Sequence, residues 1–180
     1  MDIARALARI ADGDREAFAE VVETFQRPLF GFLGRMGMTQ AVAAEVAQET
    51  FMRAWQNIGQ YRPDRAEFST WLFSIARNLA LNELTRASSR REAPDHFTAA
   101  AVDTMPLPAD RIAAEQSAAR LRAALNRLPV ADRSALALVY MRELPLGEVA
   151  ALEGTTVGAL KVRLHRARLK LREWLENLDE

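Results

Sequence analysis

The chain has no cysteine, which excludes disulfides, thiolate metal ligands and thiol nucleophiles. Histidine is nearly absent too: His96 and His165 stand in unrelated contexts and share no metal-ligand spacing, so each reads as a surface residue. No apolar run approaches the roughly 18 residues that a membrane-crossing helix needs. The opening stretch MDIARALARIADGD is amphipathic but carries Asp2, Asp12 and Asp14 and has no apolar core of the targeting kind. A soluble, cytoplasmic protein with no direct membrane insertion is therefore expected. Glycine and proline are sparse, 8 and 7 in 180 residues, and no segment sustains the period-two alternation of a strand, so the prediction is all-α. Charge of one sign is also lacking overall: 24 cations balance 24 acids. Any electrostatic specificity must come from local clustering.

One cluster stands out. Residues 145–172, PLGEVAALEGTTVGALKVRLHRARLKLR, read as a helix, a turn at Gly154 and a second helix. From position 156 to 172 the segment holds Lys161, Arg163, Arg166, Arg168, Lys170 and Arg172 without an acid, so a polyanion is the natural partner. The spacing favours duplex DNA. Val149 and Ala150 face inward, Gly154 takes a left-handed turn, Thr156 caps the second helix, and Val157, Leu160, Leu164 and Ala167 form its buried stripe. Gly158 and Ala159 let its first turn approach a duplex closely. A solvated amphipathic helix would alternate charge signs along its outer face, and this one does not.

The texture changes at residues 93–115, where Pro94, Pro106 and Pro108 punctuate small and acidic residues. This reads as a flexible linker between a lobe at 1–92 and a lobe at 116–180, giving two small helical domains. The first lobe predicts a helix from Asp14 to about Gly34 kinked at Pro28, a second from Thr39 to Ile58, a loop from Gly59 to Arg65, and a third from Glu67 to Arg90. In the third, Phe68, Trp71, Leu72, Ile75, Leu79 and Leu84 share the apolar side; Trp71 reads as core, while Phe73 invites assignment as a stacking residue. The second lobe predicts helices near 110–127, 130–142, 145–153 and 156–176. An enzyme is disfavoured: Glu45 and Glu49 share a helix face, but no histidine or further acid is spaced to complete a metal site, and His165 sits inside the basic helix. No catalytic residue, metal or cofactor is expected.

Four motifs now stand in order: Gln48-Glu49-Thr50-Phe51 with Arg53-Ala54-Trp55; Phe68-Ser69-Thr70-Trp71-Leu72 with Ile75-Ala76-Arg77-Asn78; Leu128-Pro129 with Arg133; and Gly158 through Arg168. Together they resemble bacterial RNA polymerase sigma factors of the extracytoplasmic-function (ECF) group of the sigma-70 family. The resemblance covers both lobes, with a linker where that group has one, and implies region 2 in the first lobe and region 4 in the second.

By that resemblance, Glu45, Gln48, Glu49, Phe51 and Arg53 bind the clamp helices of the largest subunit of core RNA polymerase. Polar groups would fix register on a partner helix while Phe51 and Trp55 supply area. The family commonly has Glu-Asp where this chain has Ala44-Glu45, so one acidic contact is missing. The resemblance assigns the −10 promoter element to Tyr61, Arg62, Arg65, Arg77, Asn78, Asn82 and Arg86. Asn78 and the loop 61–67 would form a pocket for an extruded base, and Arg77, Arg86, Arg90 and Arg91 would meet the backbone. Position 82 often carries Asp in the family. The −35 element falls to Thr156, Gly158, Lys161, Val162, Arg163, Arg166 and Arg168: Lys161, Arg163 and Arg166 at bases, Val162 at a thymine methyl, the others near phosphates. Further implied partners are the flap of the second-largest polymerase subunit and an anti-sigma factor. The competing reading, a stand-alone two-domain helix-turn-helix regulator, accounts for the second lobe but leaves the QETF and FSTWL segments unexplained.

Overall fold

The computed structural model describes the backbone of residues 3–90 and 108–176, and the side chains of 3–87 and 117–176. His96, Arg91 and most of the expected linker lie outside these residues, as do the side chains of Arg90 and Arg91. All the described regular structure is helical.

Helix α1 (Ile3–Ala11) buries Ala6 and Ile10 and ends at Gly13, whose φ of +96° suits glycine. Asp14 then starts a new turn, its carboxylate accepting from the amides of Glu16 and Ala17 at 3.0 and 3.3 Å. The Arg9 guanidinium donates to that carboxylate, holding Asp14 below the usual carboxylate range, and also pairs with Glu20. The helix expected from Asp14 onward is thus in two parts, a 3-10 turn at Arg15–Ala17 followed by α2 (Phe18–Arg35). α2 continues through Pro28 as one element.

Thr39 caps α3 (Gln40–Gln56), its hydroxyl accepting from the Val42 amide at 3.2 Å. α4 (Phe68–Arg90) follows the Ile58–Gln60 turn and the loop after it. These helices enclose α2, whose Val21, Phe25, Leu29, Phe32 and Leu33 meet Ala43, Val46, Ala47 and Ala54 of α3 and Phe68, Leu72, Phe73, Ala76 and Ala80 of α4 in one core. Phe32 and Phe73 meet edge to face at 5.4 Å. Phe73 is fully buried, so the sequence-based suggestion of a stacking role is corrected: its ring belongs to the core.

In the second lobe, α5 (Pro108–Arg127) is the helix expected near 110–127, and its first turns lie inside the stretch read as linker. Pro108 is no obstacle there, since a first-turn residue has no intrahelical amide bond to lose. α6 (Val130–Leu136) passes into a π turn at Ala137–Met141 rather than continuing as one regular helix to 142, and Glu143 closes it with φ of 53°. α7 (Leu146–Leu152) and α8 (Val157–Glu176) complete the lobe. Leu125, Leu128, Leu136, Leu138, Leu144, Val149, Leu160 and Leu164 form its interior.

The buried residues of both lobes form a single cluster. At the end of α2, Met36 and Met38 are buried on either side of Gly37, whose φ is +92°. The Arg133 guanidinium lies against Gly37, where an added Cβ would collide with its Nη1, and donates to Asn126 Oδ1 at 2.9 Å. Burial lowers the pKa of Arg133, although the group remains charged at any ordinary pH. Gly37→Ala therefore combines an unfavourable φ with a clash against a buried side chain. It should lower unfolding free energy by about 1–3 kcal/mol in urea titrations, and an unchanged midpoint would refute this packing account.

Candidate partner and nucleic-acid interfaces

Three surfaces carry the residues singled out in the sequence. The first is a groove of about 480 Å³ between α2 and α3, lined mainly by Phe18, Val22, Phe30, Phe51, Met52 and Trp55. Trp55 is held edge to face against Phe18 at 5.1 Å. Phe51 and Trp55 are half-buried against the core while still lining the groove, and Met52 is 47% exposed. Gln48 also lines it; Glu45 and Arg53 are exposed elsewhere on α3, and Glu49 is half-exposed and accepts from Arg53 Nε at 2.6 Å. An open aromatic floor edged by Gln26 and Gln48 suits a partner helix better than a small ligand. Among the described residues no group of three His, Cys, Asp or Glu is placed to hold a metal.

The second surface is α4 with the loop before it. Asn78, Asn82 and Arg86, spaced four apart, are exposed in a row, and Arg86 makes a long contact with Glu83 at 3.7 Å. Arg62 and Arg65 are exposed on the loop. Tyr61 is differently placed: its ring packs against Phe68 and Trp71 at 5.3 and 5.5 Å, and its hydroxyl donates to the Ala66 carbonyl at 3.2 Å. Burial, and then the Glu67 and Glu148 carboxylates, raise its pKa, keeping the phenol protonated as a donor. Tyr61 thus shapes the loop from below, and Trp71 is half-buried beside it as expected.

The third surface is α8. Gly154 adopts φ of +63°, and Thr156 caps the helix by accepting from the Ala159 amide at 3.2 Å. Leu160, Leu164 and Ala167 are buried and Val149 and Ala150 support them, as the periodicity requires. Val157 departs from expectation at 38% exposed: it is the first residue of α8, and the buried stripe begins a turn later at Leu160. Lys161, Val162 and Arg166 are exposed, and a Cβ at Gly158 would meet nothing closer than Thr156 Oγ1 at 4.0 Å. Arg168 is exposed but tethered, lying over the Tyr140 ring at 5.4 Å and donating to its hydroxyl at 3.3 Å.

Arg77 and Arg163 are not presented with the others. Arg77 Nε donates to Glu153 Oε1 at 2.8 Å and to Ser134 Oγ at 3.2 Å. Arg163 Nη1 donates to Glu153 Oε2 at 3.2 Å and its Nε lies 3.9 Å from Asp132. Both cations, one from each lobe, converge on one carboxylate whose side chain is 1% exposed. Sequence reasoning missed Glu153, Ser134, and Arg142, whose guanidinium lies over Phe73 at 4.8 Å. No local pattern marks residues that act across so many intervening positions.

Comparison with known proteins follows the same division of the chain. A family model described as Sigma-70 region 2 matches residues 21–90, and one described as Sigma-70, region 4 matches residues 118–171. The chain is 31% identical over 191 residues to the ECF RNA polymerase sigma factor SigW of Bacillus subtilis (strain 168), covering 99% of each. It is 35% identical over 160 residues to the ECF RNA polymerase sigma factor RpoE of Cereibacter sphaeroides, covering 89% of this chain and 87% of that one. Among solved structures it is similar to CnrH in complex with the cytosolic domain of CnrY, with a TM-score of 0.72, 27% identity and 96% of both chains covered.

The capping geometry of α8 makes a direct prediction. Thr156→Ala should cost about 1 kcal/mol of stability, read from the urea midpoint by circular dichroism, while Thr156→Ser should retain most of it. Equal midpoints for the alanine variant and the parent would refute the cap.

Proposed function

Because the chain belongs to the ECF sigma factors of the sigma-70 family, we propose that it binds core RNA polymerase and directs promoter-specific initiation in the cytoplasm, reading a −10 element with its first lobe and a −35 element with its second. The observation that carries this reading is the division of labour over one chain: an aromatic groove on α2 and α3, an exposed Asn78–Asn82–Arg86 row on α4, and a capped basic helix in the second lobe. The proposed units are residues 1–92 and 116–180 with a connection at 93–115, into which α5 extends. The protein acts by binding; the covalent chemistry belongs to the polymerase.

Around the groove, Glu45, Gln48, Glu49 and Arg53 fix the register of a clamp helix of the largest subunit, and Phe51, Met52 and Trp55 supply buried area. The second lobe meets the flap of the second-largest subunit. On DNA, Asn78 reads an extruded −10 base, Arg62, Arg65 and Arg86 meet phosphates, and Asn82 extends the same row. Lys161, Val162 and Arg166 read −35 base edges, with Thr156, Gly158 and Arg168 near phosphates. Arg77 and Arg163 join these sets once released from Glu153. Neither lobe alone presents many contacts, so affinity comes from tethering both to polymerase at a spacing that matches two DNA elements. CnrH was solved with the cytosolic domain of CnrY. By analogy, an anti-sigma protein covers the α2–α3 groove of this chain and blocks polymerase. A stand-alone regulator has no use for that groove.

Run-off transcription with purified core polymerase, on a fragment upstream of the chain's own gene and on genomic fragments, tests the proposal: a transcript should appear only when both proteins are present. No transcript on any fragment, with salt-sensitive DNA binding in the absence of polymerase, would overturn it. Met52→Glu, which puts a charge in the groove, should weaken polymerase capture by roughly tenfold or more and leave DNA binding by the free chain unchanged. Arg166→Ala should lose about 1–3 kcal/mol on the mapped promoter and relax discrimination at one −35 position. A uniform loss across −35 variants would instead make Arg166 a phosphate contact.

A further inference from the structure

Glu153 occupies an expensive place for a carboxylate. It caps the C-terminal end of α7, where the helix dipole disfavours negative charge, and its side chain is 1% exposed. Three groups offset this: Arg77 from the first lobe, Arg163 from α8, and the Ser134 hydroxyl, which donates to Oε1 at 2.8 Å. Each carboxylate oxygen faces one guanidinium. Arg77 is itself 12% exposed, and separating the lobes would leave Glu153 with only Arg163 and the Ser134 hydroxyl of its own lobe. Moving Arg163 onto DNA would likewise leave Glu153 with Arg77 and Ser134.

We propose that Glu153 is an interlobe latch: by holding Arg77 and Arg163 together it keeps the free protein closed and withholds one cation of each DNA-reading surface. The latch rests on the reading of those two arginines as DNA-facing. Other contacts across the same junction close with it. Arg142 lies over Phe73, and the Arg133 guanidinium lies on Gly37. DNA and the closed state then compete for the same two guanidinium groups, so DNA binding opens the lobes, and opening favours DNA by the same factor. A free chain held shut binds promoter weakly in proportion to the small open fraction. Polymerase, by fixing the lobes apart, removes that penalty.

The absence of cysteine makes the test direct. Exposed Glu23 and Glu173, one on each lobe, are replaced by cysteine and spin-labelled in the full chain, and interlobe distances are measured with Glu153 or with the isosteric Glu153→Gln. The parent should give one narrow, short distribution and the variant a longer, broader one. In unlabelled protein without polymerase, Glu153→Gln should bind a fluorescein-labelled duplex of the mapped promoter roughly fivefold or more tighter. Glu153→Asp, which keeps the charge, should stay nearer the parent in both readings. Circular dichroism melts confirm that each variant is folded, and Ser134→Ala, which removes the neutral hydroxyl that accepts from Arg77 and donates to Glu153 but keeps all three charges, supplies a milder opening variant should Glu153→Gln fail to fold. Unchanged distances in folded Glu153→Gln would overturn the latch. Longer distances with unchanged DNA affinity would support the latch but overturn the DNA role of Arg77 and Arg163.

Discussion

The fold depends on one constraint, that helix α2 is apolar on several sides and must be surrounded. Val21, Phe25, Leu29, Phe32 and Leu33 are all buried, and Met36 extends the stripe past the helix end. One neighbouring helix covers only a stripe, so α3 and α4 both pack against α2, with α1 over its first half. Its far end remains apolar, and there the second lobe docks, through α5 and the π turn after α6. The same helix that organises the first lobe therefore also supplies the seat for the second.

That arrangement determines what each surface can do. α3 spends Ala43, Val46, Ala47 and Ala54 on the core, leaving Gln48 and Met52 to line a groove whose floor is aromatic and Arg53 exposed to solvent. α4 buries Phe68, Leu72, Phe73, Ala76 and Ala80, which turns Asn78, Asn82 and Arg86 to solvent. α8 buries only three side chains and keeps a basic face in a chain of zero net charge. Because that positive field is local, association with DNA should be steered to one face and weakened by salt.

Much of the design was legible along the chain because helical periodicity is local. The Leu160–Leu164–Ala167 stripe, the Thr156 cap, the left-handed Gly154 and the all-helical content each follow from residues within a few positions of one another. The misreadings have equally definite causes. Phe73 resembled a stacking residue because sequence does not show which aromatic a neighbouring helix will cover. Val157 fits the apolar stripe of α8, yet as the helix's first residue it stays exposed, and burial begins only at Leu160. The helix expected from residue 130 to 142 widens into a π turn at Ala137, a change of hydrogen-bond register that side-chain pattern does not encode.

By itself, then, the sequence determined the helices, their inward faces, the capped basic element and the family to which they belong, since each depends on short-range spacing or on motifs carried in order. Only the tertiary structure decided which cations are presented and which are engaged. Arg77 and Glu153 are 76 positions apart, and Arg163 reaches the same carboxylate from 10 positions beyond it. An arginine's charge is written in its own side chain. Its partner depends on where packing brings a distant acid, and here the docking of the second lobe on the end of α2 brings Glu153 between the two.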